Sequence, residues 1–232
     1  MTYAISDIHG DWDAFSRMFG LGTAENIAGF GPDDRCVVIG DAVDRGLDGV
    51  RILQHVRSDG RFQMILGNHE YMCLQAMMGG KRKSFRDIWG ANAGQPTYEG
   101  LMRLGRLDRR DLLRWLSRCP DHLDIDAGGQ PYRLVHAGWY GDDKDARLWR
   151  QPCPYKPMPA DGRHVILGHT PVCRLHPGGP SGYLSRCGDH MRIFRCDAFT
   201  AIDCGCGMPK TMRKRALGCL RLDDCAEFYI HI

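Results

Sequence analysis

Residues 64–72 read MILGNHEYM: an apolar run ending at Leu66 passes through Gly67 straight into Asn68, His69 and Glu70. A turn calls for Gly and Asn, but not for an imidazole and a carboxylate beside them. The same ending recurs along the chain. Tyr3-Ala4-Ile5 leads to Asp7 and His9, Val37-Val38-Ile39-Gly40 to Asp41, Leu134-Val135 to His136, and Ile166-Leu167-Gly168 to His169. Taken singly, each has a bland explanation, an Asp capping a helix or a His closing a strand. Five such endings together point to one site. Asp7, His9, Asp41, Asn68, His136 and His169 offer imidazole, carboxylate and amide donors without thiolate, a set suited to a borderline-to-hard divalent ion such as Mn, Fe or Zn. Six donors exceed the needs of one catalytic tetrahedral zinc with an open position. They suffice for two ions if one carboxylate bridges, a pair roughly 3.5–4 Å apart that clamps both oxygens of an in-line displacement.

The elements that must position these groups alternate in the first third of the chain. Tyr3 to Ile5, Cys36 to Ile39 and Phe62 to Leu66 read as buried strands, with helical spacing over Trp12 to Phe19 and Leu47 to Val56 between them. That order predicts a parallel core built from right-handed crossovers. In such sheets function gathers at the carboxyl ends of the strands, where the donors fall. The middle reads as helical, in Tyr71–Met78, Thr97–Leu104 and Arg109–Ser117, and from residue 131 strands return: Tyr132–Val135, His164–Leu167, Met191–Phe194, Ala198–Ile202, Leu217–Leu222 and Glu227–Ile232. Segments 79–96, 152–159 and 177–189 read as loops, the first and last placed to rim the cleft and set substrate choice. No repeat or long linker divides the chain, so one α/β domain over residues 1–232 is expected.

Bulk properties set outer bounds. With 43% hydrophobic and 25% charged residues the composition is that of an ordinary globular protein. A pI near 8.3 lies below the strongly basic range of nucleic-acid domains, and the run Lys81-Arg82-Lys83 reads as a solvated loop. No apolar stretch is long enough to cross a membrane and no export signal stands at the N-terminus. The eleven scattered cysteines then fit reduced thiols in a cytoplasm. Cys204 and Cys206 form the tightest pair, yet no second pair accompanies them, so core or loop thiols are expected there rather than a structural zinc.

The blocks SDIHG, GDAVDRG and GNHE, followed by VHAG and LGHT, resemble the phosphoprotein phosphatase family of the calcineurin-like metallophosphoesterases, in order from residue 6 to 170. LRLDD near residue 220 is similar to the closing strands of bacterial and phage members. The resemblance implies two mixed β-sheets packed as a sandwich and flanked by helices. It puts Asp7, His9 and Asp41 on a first metal, with Asp41 bridging to a second completed by Asn68, His136 and His169, manganese being the expected ion. His69 would be the general acid and Asp44 its carboxylate partner. Arg45 and Asn68 would bind the phosphoryl oxygens, and Arg150 in LWRQP is the candidate for a second phosphate-gripping arginine. Physical chemistry supports these roles: a bridging hydroxide is nucleophilic at neutral pH, arginine's planar fork suits two phosphate oxygens, and an alkoxide leaving group needs a proton. Glu70 is expected to orient the loop beside the metals.

Three functions compete. A metal-dependent phosphatase acting on phosphoserine or phosphothreonine in a protein or peptide is favoured because Asp44 stands in VDRG, where diadenosine-tetraphosphate hydrolases have VARG. A dinucleoside polyphosphate hydrolase is the alternative within chemistry. A non-catalytic phosphoprotein-binding module is the third, weakened because every ligand and the acid are present. Neither nucleic acid nor membrane is expected as a partner.

Overall fold

The computed structural model describes residues 1–79 and 82–232, except for the side chains at 82, 83 and 85. Strands β1 (Thr2–Ile5), β2 (Arg35–Ile39) and β3 (Phe62–Ile65) run parallel, joined by helices α1 (Trp12–Phe19) and α2 (Gly49–Ser58). The C-terminal hairpin β9 (Ala216–Arg221) and β10 (Glu227–His231) adds antiparallel to β1, giving the order β10-β9-β1-β2-β3. Along β1 and β2 successive side chains alternate between two cores, as the pleat requires. Tyr3, Ile5 and Val38 face the helices with Phe15, Phe19, Ile52 and Leu53, whereas Ala4, Val37 and Ile39 face the second sheet.

That second sheet has the order β4-β5-β6-β8-β7, from β4 (His122–Ala127), β5 (Gln130–Val135), β6 (His164–Leu167), β7 (Phe194–Arg195) and β8 (Phe199–Ala201). Its central strands β5, β6 and β8 are parallel. Leu134, Val165, Leu167 and Ala201 pack against Ala4, Ile39 and Leu220 of the first sheet in one continuous core, so the two mixed sheets form a sandwich. Four helices, α3 (Asn68–Met78), α4 (Arg82–Ala91), α5 (Gln95–Arg103) and α6 (Arg106–Leu116), link the sheets, and α7 (Lys144–Trp149) and α8 (Gly179–Leu184) lie between later strands.

Three expectations need correction: the strand expected over Met191–Phe194 is confined to Phe194–Arg195, and two expected loops hold helices. Segment 79–96 is not a loop, because α4 fills most of it and turns Trp89 into the core. Segment 177–189 holds the short helix α8. Strand β4 falls in a stretch to which the sequence assigns no element: it is an edge strand whose sequence HLDIDA is only half buried, so no apolar run announces it. Lys81 lies outside the described residues, as do the side chains of Arg82 and Lys83. Among the described residues no helix is long and apolar enough to cross a membrane.

Candidate metal centre

Because β1, β2, β3, β5 and β6 are parallel within their sheets, the turns that follow them meet at one edge of the sandwich. Two clusters of donors form there. His9, Asp41 and His69 make one, and Asp41, His136 and His169 the other, each with its ligand atoms within 4.8 Å of one another. Asp41 is common to both. Its Oδ2 faces His9 Nε2 at 3.8 Å and His69 Nε2 at 3.9 Å, while Oδ1 faces His136 Nε2 at 3.4 Å. Asn68 Oδ1 joins the second cluster, 2.9 Å from His136 Nε2 and 3.0 Å from His169 Nδ1. Asp7 stands beside the first, its Oδ1 3.9 Å from His9 Nε2 and its Oδ2 accepting the His169 N–H at 2.9 Å.

The fit to a cation pair can be tested on the nitrogens that face away from the centre. His9 Nδ1 bonds the Val43 carbonyl at 3.0 Å and His136 Nδ1 the Ile39 carbonyl at 2.9 Å. With those nitrogens each carrying a proton, both Nε2 atoms face into the cluster, the arrangement that orients a metal-binding imidazole. Charge tells the same story. Burial pulls His9 well below its ordinary range, and burial with the neighbouring His136 takes His169 down to about 4, so both rings are neutral donors. Burial pushes Asp41 up, but the imidazoles of His136, His69 and His9 outweigh it and hold the carboxyl well below the usual range. Burial likewise lowers His136, yet Asp41 beside it wins and lifts the ring to about 10. Burial takes Asp7 up to about 6. The buried Asp41 carboxylate thus calls for a positive charge beside it, which the His136 ring supplies here and a bound cation would supply in its place.

The backbone is bent to build this. Asp7, His9, Asp41, Asp44, Arg45 and His169 are six of the nine non-glycine residues with left-handed φ among the described residues. Each exceeds the ordinary range for a residue with a Cβ and is held only by its surroundings. Glu70, fully buried in α3, does much of the holding: Oε2 accepts the N–H of Asp41 (2.8 Å) and Gly67 (3.0 Å), and Oε1 those of Ala42 (2.9 Å) and Val43 (3.2 Å). Gly67 is required by proximity, since a Cβ there would lie 2.3 Å from Asp41 Oδ1. The first turn of α3 in turn donates the His69 N–H to Asp41 Oδ1 at 3.0 Å, placing a carboxylate at a helix N-terminus.

His69 Nδ1 bonds Asp44 Oδ2 at 2.7 Å. Burial opposes charge on the ring, but Asp41 and Asp44 prevail and raise it above its ordinary value. Arg45 reaches His69 Nε2 with Nη2 at 3.3 Å and donates Nη1 to the Gly207 carbonyl at 3.1 Å. Arg150 follows directly on α7. Its guanidinium lies 4.0 Å over the Tyr140 ring, away from the donors.

Two contributions escaped the sequence. Asp203, two residues past β8, is level with His169, two past β6, because Leu167 pairs with Ala201. Its buried carboxyl is raised well above the usual range by burial and by Asp7. The strand-then-polar ending Ala201-Ile202-Asp203 was the available signal. Gly207 closes the site from the same loop, where a Cβ would lie 2.0 Å from His9 Cδ2. Cys204 and Cys206 are buried, the latter donating to the Ile8 carbonyl, and neither joins a metal-binding cluster among the described residues.

Residues 2–181 match the family model of calcineurin-like phosphoesterases. The chain is 33% identical over 138 residues to a protein of Acidovorax sp. (strain JS42) named symmetrical bis(5'-nucleosyl)-tetraphosphatase, a match covering 59% of this chain and 43% of that protein. A protein of the same name from Aromatoleum aromaticum is 33% identical over 140 residues, with the same coverage of 59% and 43%. The match therefore spans less than half the length of either relative. Among solved structures, a putative diadenosine tetraphosphatase superposes with a TM-score of 0.61 at 15% identity, covering 99% of this chain and 92% of that one. A metallophosphoesterase from Sphaerobacter thermophilus gives 0.56 at 16% identity, covering 100% and 87%. At those identities the likeness is one of fold.

Proposed function

The chain belongs to the calcineurin-like phosphoesterase family, and we propose that it is a metal-dependent hydrolase of dinucleoside polyphosphates, worked from residues 1–232 as a single domain. The observation that carries the hydrolase reading is the pair of buried donor clusters sharing Asp41, with the His69–Asp44 pair beside them. Asp7, His9 and Asp41 would hold one divalent ion, and Asp41, Asn68, His136 and His169 a second. Manganese is the ion we expect for these nitrogen and oxygen donors. Such ions supply charge neutralisation to phosphoryl oxygens and a coordinated water acidic enough to attack at neutral pH. Arg45 would turn from Gly207 and His69 onto the phosphoryl oxygens, and Arg150 would leave Tyr140 to add a second fork. His69 would carry a proton on Nε2 for the leaving oxygen, its ring fixed through Nδ1 by Asp44. The eleven free thiols support a reducing, cytoplasmic setting.

For the substrate, the names of the curated relatives favour dinucleoside tetraphosphates over the phosphoprotein expected from the three motif blocks. The phosphoprotein phosphatase stays as a second reading for one reason, the short Asp44–His69 contact, which helps most when the leaving group is a strongly basic alkoxide. Comparing kcat/KM for diadenosine tetraphosphate and a phosphoserine peptide, on wild type and Asp44→Ala, separates the two. We expect diadenosine tetraphosphate to be the better wild-type substrate and to lose less on Asp44→Ala. A peptide preference in wild type, erased by Asp44→Ala, would give the protein phosphatase reading the lead.

A further inference from the structure

We propose that helix α4 and the turn after it are the positioning element of the proton donor, with the Trp89 indole as the group that aims Asp44; this rests on the acid role of His69 given above. Asp44 is fully buried. Its Oδ2 takes two donors, His69 Nδ1 at 2.7 Å and Trp89 Nε1 at 2.7 Å, while Oδ1 is buried with no partner. A carboxylate gripped through one oxygen is free to turn about its Cβ–Cγ bond once a grip is lost, since that torsion is broad. Trp89 therefore fixes the angle at which the carboxylate meets the imidazole.

The turn after α4 and the first turn of α5 together hold the main chain of the site. The Asp44 N–H donates to Thr97 Oγ1 at 2.9 Å, and the Arg45 N–H to the Ala93 carbonyl at 3.0 Å. These contacts span the consecutive left-handed residues Asp44 (φ 70°) and Arg45 (φ 68°), which need external support to stay there. Room for the indole is itself specified, because a Cβ on Gly94 would come within 2.3 Å of Trp89 Nε1. Gly94 has φ −77°, so alanine fits its backbone and would press most closely on the indole.

The bland account is that Trp89 is a core residue with a satisfied N–H. The two accounts differ in how Trp89 and His69 combine. In the manganese-loaded enzyme Trp89→Phe should lower kcat for an alkyl phosphate by about 10–100-fold, a part of what a general acid supplies. It should lower p-nitrophenyl phosphate turnover much less, because that leaving group needs little protonation. Gly94→Ala should act in the same direction. In a His69→Asn background Trp89→Phe should change kcat less than about twofold, because residues acting as one unit are not additive. A readout without turnover is the His69 Nδ1–H proton resonance of the metal-free protein, which should shift and exchange faster in both variants. Equal losses on both substrates, an undiminished loss in the His69→Asn background, or an unmoved resonance overturns the proposal. Should His69→Asn itself prove blind to the leaving group, the acid assignment falls separately, and the resonance still decides whether Trp89 aims Asp44.

Discussion

Replacing Glu70 by glutamine isolates a group that holds the loop of the site through main-chain contacts and is not among its proposed metal ligands. The carboxylate accepts four main-chain N–H groups, two on each oxygen, and is fully buried. Glutamine keeps one oxygen for one pair and turns an NH2 toward the other, donor against donor. Two buried N–H groups then lose their partner, at about 1–3 kcal/mol each, or about 2–6 kcal/mol together. That is a large share of the roughly 5–15 kcal/mol that stabilises a domain. At about 2–4 °C per kcal/mol for a chain of this size, Tm should fall by about 4–24 °C. Thermal melts of the metal-free protein give the number directly. Because Asp41, Ala42 and Val43 form the loop that Glu70 anchors, manganese affinity should also weaken, by about 10–100-fold, the usual worth of a group that orients a ligand. If Glu70→Gln melts within about 2 °C of wild type and titrates with manganese unchanged, the four contacts do not hold the loop and the reasoning is wrong.

Two further expectations concern the centre itself. Metal analysis should find two ions per chain; Asp41→Asn should weaken both sites while His9→Ala mainly empties one, and a stoichiometry of one with both variants alike would refute the shared carboxylate. His69→Asn should cut kcat for alkyl phosphates by about 10²–10⁴-fold, less for p-nitrophenyl phosphate, with metal content unchanged; steady-state kinetics on both substrates with metal analysis checks it.

What could be read from the sequence was what is local in it. Each donor follows its own strand within a few residues, so an apolar run ending in a polar residue, with a glycine between the two at Asp41, Asn68 and His169, announced these three and His136 one by one. Parallel order then implied that they meet. The contacts left unread join distant stretches: Trp89 lies 45 residues from Asp44, and Gly207 162 from Arg45. Helix α4 went unread because its apolar residues Phe85, Ile88 and Trp89, though at helical spacing, cover little more than one turn and lie between the glycine-bearing stretches Gly79-Gly80 and Gly90 to Gly94; among its described side chains Trp89 is the deeply buried one. Asp203 had the right signal, an apolar strand ending in a carboxylate, but its β8 is three residues long and the pattern was correspondingly faint.

The left-handed backbone at Asp7, His9, Asp41, Asp44, Arg45 and His169 has a consequence for anyone who would improve this protein. Glycine enters that region without penalty, whereas other residues lose on the order of 1–2 kcal/mol each. Any procedure that scores variants by folding alone, whether a design algorithm or a heat-challenge screen, will therefore be drawn toward glycine at the positions that carry the donors. Its winners would be sturdier and inert. Selection for thermostability in this chain should accordingly hold those six codons fixed, and a library that leaves them open provides its own measure of how far robustness and chemistry pull apart.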